Sequence, residues 1–441
     1  MSKKSKKQSN KPGKPNYRKQ ERMQAKPSTT EPAAGRSTPR PNAAPAAAPA
    51  LRAAAETAAD PSPVVTLEPL APLIVRSGRP FDFQAGADAP RFPPPSTLAG
   101  CLRTAWARET GTEFGAALAE CPVAGPLLVR VGADGQRHQL LVPKPADALY
   151  VGHADKARCL RAEPKPFADG CGADLPAGLS PLRLSEALVE KASSGPHWWA
   201  WDDFIAFRTG QPPSYAQLVQ NGWSPPAGDR RTHVAIESAT LAADAGRLFQ
   251  TEGLDLETDN AWLQSAAPAA SAGLRLLARV GQPLAAGLVH LGGERRLARL
   301  HPEPADAWPE PPRSDWFGQI HAQRGLTLTL LTPAAFSAGF RPGWLDGDLR
   351  GEPPLAPGVR LQLVAAALER WQPHSGWDLA SQQPRATRKL VAAGATYWFR
   401  LLEAPTAEAL APLWLASLCD DAQDRRDGYA LAFPAPWTPT V

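Results

Sequence analysis

Cysteine is scarce. The five residues among 441 (Cys101, Cys121, Cys159, Cys171 and Cys419) are odd in number, widely spaced and without a C-x-x-C pair. That excludes a disulfide framework and zinc-ribbon spacing, and it reads as free thiols in a reducing, cytosolic compartment. Long apolar runs are also missing. None reaches the roughly 18–20 residues of a membrane helix, so no membrane partner is expected. The N-terminus is charged, has no apolar segment behind it, and does not read as a secretory signal. There is no Walker or dinucleotide motif, and no cofactor is expected. No carboxylate cluster suggests two-metal chemistry, since Asp202 and Asp203 stand beside Trp198, Trp199 and Trp201 and read as capping residues. Eight histidines (138, 153, 197, 233, 290, 301, 321, 374) show no recognisable pairing with Tyr, Lys or a second His. Neither a catalytic residue nor a metal site is therefore expected.

Lysine is nearly absent from the body of the chain. Residues 1–60 hold eight lysines and a net charge of +9, whereas the rest has five lysines against 30 arginines and sums to −4. Arginine contacts phosphate in a planar, two-pronged way and stacks on bases, which suits RNA recognition. GC-rich codon usage accounts for the same bias, and the Ala and Pro excess points to it. The lysine-rich stretch 1–26 and the Ala/Pro-rich stretch 32–63 bury too little apolar surface to offset ordering. Residues 1–63 are thus expected to be a disordered basic tail. Such a tail either touches nucleic acid non-specifically or solubilises the chain.

From residue 64 the pattern is mostly strands, with few helices. "VVTLEPLAPLIVRSGRPF" (64–81) reads as an apolar strand and a Ser-Gly turn. "GPLLVRVGADGQRHQLLVPK" reads as a hairpin about Asp134-Gly135. Residues 175–195 are mixed, with one short helix expected, and the aromatic "HWWAWDDFIAF" is expected to pack as an insertion under a sheet. Residues 231–257 read as strand, polar turn, strand. "AGLRLLARV" and "AAGLVHLGGERRLARLH" read as a further strand pair with Gly292-Gly293 between them. A Pro/Trp-rich stretch (302–319) marks a candidate boundary. Beyond it lie a buried strand (326–333), the strand-or-helix "VRLQLVAAALERW", the strand "ATYWFRLLEA", an amphipathic helix over 406–421 that Pro412 either kinks or begins as its true first turn, and a closing strand "GYALAFPAPW". Each half offers strands around one helix. The fold class is therefore α+β, as two tandem ferredoxin-like (RRM-like) domains with long insertions, 64–312 and 313–441, behind the tail.

One stretch, "RFPPPSTLAG" (91–100), is a rigid elbow. Pro93, Pro94 and Pro95 fix φ and disfavour helix before each proline. Ser96 is a good N-cap. Leu98, Cys101, Leu102, Ala105 and Trp106 recur at helical spacing, and Gly111 closes the helix. Arg76, Arg79, Arg91 and Arg103 fall on or beside the loop and elbow. From spacing alone, a capped helix with solvated arginines explains them.

"LEPLAPLIVRSGRPF", "FPPPSTLAGCLRTAWARETG", "THVAIESATLAADAGRLFQTE", "VHLGGERRLARL", "LLTPAAFSAGF", "SGWDLASQQPRATRKLVAAGATYWFRL" and "DGYALAF" follow one another in this order. Together they resemble the third-subunit family of Cmr complexes, the type III-B CRISPR effectors, within the RAMP superfamily. The resemblance covers about 64–441. It implies a non-catalytic, antiviral-defence subunit that grips the 5′ repeat-derived tag of the crRNA. It also implies partners: the large polymerase-cyclase subunit, the backbone subunits and, indirectly, target RNA. The alternative is a RAMP endoribonuclease that processes precursor crRNA with a general-base histidine. One departure stands out. RAMP proteins usually carry a glycine-rich loop before the last strand, whereas "CDDAQDRRDGYALAF" has only Gly428. Arg425 and Arg426 offer charge there, and Asp420, Asp421, Asp424 and Asp427 oppose it.

The resemblance turns four places into RNA-binding candidates. At the elbow, Ser96, Thr97 and the helix-start amides form an anion site, with Arg76, Arg79 and Arg103 nearby. In "PRATRKLVAAG", Arg385, Thr387, Arg388 and Lys389 suit a single-stranded backbone, or else an exposed loop facing an acidic subunit. In the hairpin about 231–252, Arg231, His233, Arg247 and Phe249 present charges and one stacking ring, unless Phe249 is core and the arginines are solvated. The turn Gly292-Gly293 with Arg295 and Arg296 keeps the form expected of the family.

Overall fold

In the computed structural model, which describes residues 62–75, 91–132, 137–153, 156–184, 186, 188, 190–256, 273–378 and 383–439, the first apolar run becomes β1 (Ser62–Pro69). The tail before it, and the loop carrying Arg76 and Arg79, lie outside the described residues. The elbow leads into α1 (Pro95–Thr110), which Gly111 ends in the left-handed conformation at φ 67°. A single turn, α2 (Ala116–Ala119), precedes β2 (Val123–Val131) and β3 (Arg137–Pro143). These two strands pair as the expected hairpin, whose Asp134-Gly135 turn also lies outside the described residues. Next, β4 (Ala148–Val151), β5 (Arg158–Pro164) and β6 (Leu182–Leu184) form a separate three-stranded sheet. The described residues of 175–195 thus contain a strand and no helix.

The aromatic stretch is no insertion. It supplies an edge strand, β7 (Trp198–Ala200), and a helix, α3 (Trp201–Arg208). Trp199, Phe204 and Phe207 are fully buried, so this short segment contributes core instead of cover. The pair β8 (Asp229–Ile236) and β9 (Ala243–Gly253) is the expected two-stranded ribbon. Then β10 (Gly273–Leu284), β11 (Gly287–His290) and β12 (Leu297–Glu303) complete a seven-stranded antiparallel sheet, ordered β11-β12-β1-β10-β2-β3-β7. The Gly292-Gly293 turn lies between β11 and β12, which pair with each other, while β10 and β12 flank β1. β1 is apolar on both faces, which makes it a central strand rather than an edge.

The second half opens with the helix Trp316–Gln323 and the buried strand β13 (Gly325–Leu330). After β14 (Arg350–Gly351) comes β15 (Leu361–Ala367), where buried and half-buried residues alternate. That period of two resolves the strand-or-helix ambiguity. An excursion follows: β16 (Gln372–His374), β17 (Trp377–Asp378), β18 (Gln383–Pro384) and β19 (Arg388–Leu390), with β16 paired to β19 and β17 to β18. The chain then returns through β20 (Thr396–Leu401), β21 (Ala416–Ser417) and β22 (Leu431–Pro436). The sheet order is β14-β15-β20-β13-β22-β21, again antiparallel. The amphipathic helix expected over 406–421 does not form as one piece. Only Ala407–Leu410 is α-helical, Ala411–Leu413 tightens to a 3-10 turn, and β21 follows. Pro412 has no N–H to continue the ladder, and its ring crowds the preceding turn.

The strand period of two decides where the first sheet buries its faces. Val65, Leu67, Leu128 and Leu141 pack with Leu98 and Leu102 of α1. Their neighbours Val64, Leu127, Val129 and Val142 turn the other way and join Leu326, Leu328, Tyr397 and Phe433 of the second sheet in one cluster. Trp201 and Phe204 meet the Phe433 ring edge-on, at 5.2 and 4.9 Å. The result is an α+β architecture of mostly antiparallel sheets. Among the described residues no helix is long and apolar enough to cross a membrane.

Candidate nucleic-acid interface

The elbow and the 384–394 cluster, far apart in the chain, come together. α1 starts at Pro95, with Pro94 as N-cap and no side-chain cap. Ser96 is therefore not the N-cap. Its hydroxyl turns instead to the Tyr429 hydroxyl at 2.9 Å and lies 3.4 Å from His374 Nε2, 278 residues away. Tyr429 and His374 are themselves hydrogen-bonded at 3.0 Å. The helix start is also a poorer anion site than expected. Pro95 has no N–H, and the Thr97 and Leu98 amides both donate to Pro94 O, at 3.0 and 3.5 Å.

The ribbon β16–β19 lies over this start. Its register sets His374 opposite Arg388 and Pro373 opposite Lys389. Arg91 Nη1 donates to Pro373 O at 3.0 Å, pinning the ribbon to the elbow. Arg388 donates to both Asp424 oxygens at 2.8 Å and sits 5.5 Å from the Tyr429 ring centre. Burial works against the Arg388 charge, but the Asp424 bonds outweigh it and hold its pKa above the ordinary value. His374 is pushed down to about 4, first by burial and then by Arg388, Arg91 and Arg385, so its ring is neutral at pH 7. Burial pushes the Tyr429 hydroxyl up to about 12. The sequence offered no histidine paired with tyrosine, yet the fold makes one.

On the outer side of the ribbon, Arg385, Thr387, Arg388 and Lys389 are all exposed. Arg385 has no ion-pair partner among the described residues, and Lys389 Nζ lies 5.2 Å from the Trp371 ring centre. Trp371 remains 49% exposed. Sequence reading missed it, although the signal was there: Arg370-Trp371 follows a strand whose next residues break its alternation.

Arg103 leaves the candidate set. It is 8% exposed, and its guanidinium is used up inside the protein. Nη1 pairs with Asp427 at 2.6 Å, Nε donates to Cys121 O at 2.9 Å and Nη2 to Arg426 O at 3.0 Å. The one-glycine loop is a short helix, Ala422–Asp427, closed by Gly428 at φ 89°. Each of its aspartates has a structural task. Asp420 accepts from the Ser337 and Gly343 amides, Asp421 caps the helix, Asp424 holds Arg388 and Asp427 holds Arg103. Arg425 donates to the Cys419 and Asp420 carbonyls, and Arg426 pairs with Glu120 at 2.7 Å. The segment is a brace between the two sheets, and both of its arginines already have partners within the protein.

The other two candidates stand apart from the ribbon. In the β8–β9 hairpin Arg231 pairs with Asp229 and Arg247 with Asp244. The half-buried Phe249 stacks on His233 at 5.0 Å, and His233 bonds Thr251 at 2.9 Å, so Phe249 is neither core nor wholly open. The Gly292-Gly293 turn is built for close approach. Gly292 has φ 80°, a Cβ there would fall 2.7 Å from Ile74 O, and the Gly293 amide donates to that same oxygen at 2.7 Å. Arg296 lies 3.9 Å from Glu294, and Arg295 is exposed. Leu73 bridges to Leu254 at the foot of the hairpin. One stem of the loop bearing Arg76 and Arg79 thus lies between the hairpin and the glycine turn, while its other stem, at Arg91, lies against the ribbon.

A family model described as "CRISPR-associated protein (Cas_Cmr3)" matches residues 65–437. Among solved structures, the chain is similar to one in "Cryo-EM structure of the Type III-B Cmr-beta bound to cognate target RNA and AMPPnP, state 1", at 13% identity and TM-score 0.42, covering 76% of this chain and 86% of that one. A second, "Cryo-EM structure of the Type III-B Cmr-beta bound to cognate target RNA", gives 14% identity and TM-score 0.40 with the same coverage. No curated protein matches.

Proposed function

The chain belongs to the Cas_Cmr3 family of CRISPR-associated proteins, and from that premise we propose that it is a non-catalytic crRNA-binding subunit of a type III-B Cmr effector. In this reading it grips the 5′ repeat-derived tag and docks the large polymerase-cyclase subunit. The observation that carries the RNA-binding part is the ribbon on the elbow. It brings together an exposed tryptophan held by a lysine, an arginine with no ion-pair partner among the described residues, and a threonine hydroxyl. A flat ring between cations is the platform that single strands use, because every base has a face to stack and every nucleotide a phosphate. We also read the two sheets as ferredoxin-like frames, 64–312 and 313–441. In β12-β1-β10-β2 and in β22-β13-β20-β15, the first strand lies between the fourth and third, as that frame requires.

The test is an RNA titration at several salt concentrations, using the chain with its large partner. Arg385→Glu and Lys389→Glu weaken binding to any single strand alike, since phosphate contacts carry no sequence information. Each also lowers the salt slope by about 0.7. Arg388→Glu is a poorer probe, because it strips Asp424 of its partner. Wild-type binding by both variants at every salt concentration would falsify this reading.

One observation favours the processing ribonuclease, namely His374 against Tyr429 and Ser96 with arginines around it. A general base works best with a pKa near the working pH, and at about 4 His374 is a weak one. Incubation with a repeat-containing transcript therefore yields binding without cleavage. Cleavage that His374→Ala abolishes would establish the enzyme instead.

A further inference from the structure

We infer that a cavity apart from the ribbon binds the phosphate and base of a nucleotide unit. Its volume is about 700 Å3, within the ~300–1,000 Å3 usual for small-ligand sites. It is lined by β5 and the loop after it, by β6, by the end of α3, by the helix Trp316–Gln323 and by the segment after β22. Arg161, Lys165, Arg183 and Arg313 face it against one carboxylate, Glu163. Among the described residues neither Arg183 nor Arg313 has an ion-pair partner. Arg183 reaches only the Pro166 carbonyl at 3.5 Å, and Arg313 lies 5.8 Å from the Trp316 ring centre.

Two further arginines are spent inside the wall: Arg161 lies 3.3 Å from Glu163 and donates to Phe207 O, and the fully buried Arg208 bonds Asp147. The exposed guanidiniums of Arg183 and Arg313 are the ones that phosphate oxygens meet in a two-pronged geometry. Phe167, 38% exposed, adds a flat apolar face beside the cations. Cations with a ring suit a nucleotide better than a bare anion or an acidic peptide. None of these residues belongs to the ribbon, so the inference stands independently of the tag-binding surface.

The test uses the full chain carrying Arg385→Glu and Lys389→Glu, so that ribbon binding does not mask the cavity. Calorimetric titrations are run with adenosine 5′-monophosphate, a short 5′-phosphorylated RNA, inorganic phosphate and an oligoglutamate peptide. The expected result is saturable binding of a nucleotide probe, weakened roughly tenfold by Phe167→Ala and abolished by Arg183→Glu with Arg313→Glu. These side chains are exposed, so melting temperatures stay at the parent value. Equal affinity for the mononucleotide and the RNA identifies free nucleotide as the source, and binding of the RNA alone identifies a strand. The inference is overturned if neither nucleotide probe binds, if the charge reversals change nothing, if Phe167→Ala leaves nucleotide affinity untouched, or if oligoglutamate binds more tightly.

Discussion

His374 ties stability to pH. An unfolded imidazole takes its proton near pH 6.5, whereas the folded one does so only near pH 4. Between those values the unfolded chain holds the extra proton. Stability from this residue is therefore complete above pH 6.5 and falls as the pH drops toward 4, by about 3 kcal/mol in all. Urea denaturation of wild type and His374→Gln across pH 4–7 checks it, since the variant should lack most of that acid-side fall. A parallel slope in the two proteins would place the acid sensitivity elsewhere. Arg103 gives a second residue-scale prediction. Removing one partner of a buried ion pair leaves a bare charge inside, so Arg103→Ala should cost roughly 3–5 kcal/mol. A loss below about 1 kcal/mol, the size of a surface pair, would show that Asp427 reaches water in the folded chain.

At the scale of elements, the β8–β9 hairpin is a two-stranded sheet of its own. Val234, Ile236, Leu241 and Leu248 on it are exposed, and a two-stranded ribbon without a covered face is marginal in water. Hydrogen exchange of the isolated chain should therefore show its amides exchanging well before those of β1, β10 and β13. Equal protection would mean that something outside the pair stabilises it. The ribbon β16–β19 differs, because Arg91, Arg388 and His374 fasten it to α1 and to the helix Ala422–Asp427. Most strands were legible from alternation, but β15 was not: its sequence left strand and helix open, and only its burial pattern decided between them. The helix over 406–421 was misread because its apolar spacing was right while Pro412 sat inside it.

At the scale of the whole molecule, the two sheets share one cluster built from alternate residues of both. Gly428 packs where a Cβ would strike Val123 O at 2.8 Å, and Arg103 locks α1 to the last helix. A shared core gives shared melting, so calorimetry should record one cooperative unfolding transition for residues 62–441. Two resolved transitions would show that each frame keeps its own core.

Period, proline and glycine are local signals, and they were enough for β1, β13, β20, β22, the extent of α1 and the Gly111 stop. Charge and composition carried the arginine bias and the choice of 384–394 as a basic cluster. What local signals do not carry is who meets whom. Ser96 is 278 residues from His374 and 333 from Tyr429, and only the return of the last strands beside α1 makes them a triangle. The same packing decides which arginines are spent. Arg103 and Arg388 look alike in the chain, but one is buried on Asp427 and the other half-exposed on Asp424. A charge's partner is chosen by tertiary distance, because an ion pair decays over a few ångströms whatever the separation along the chain.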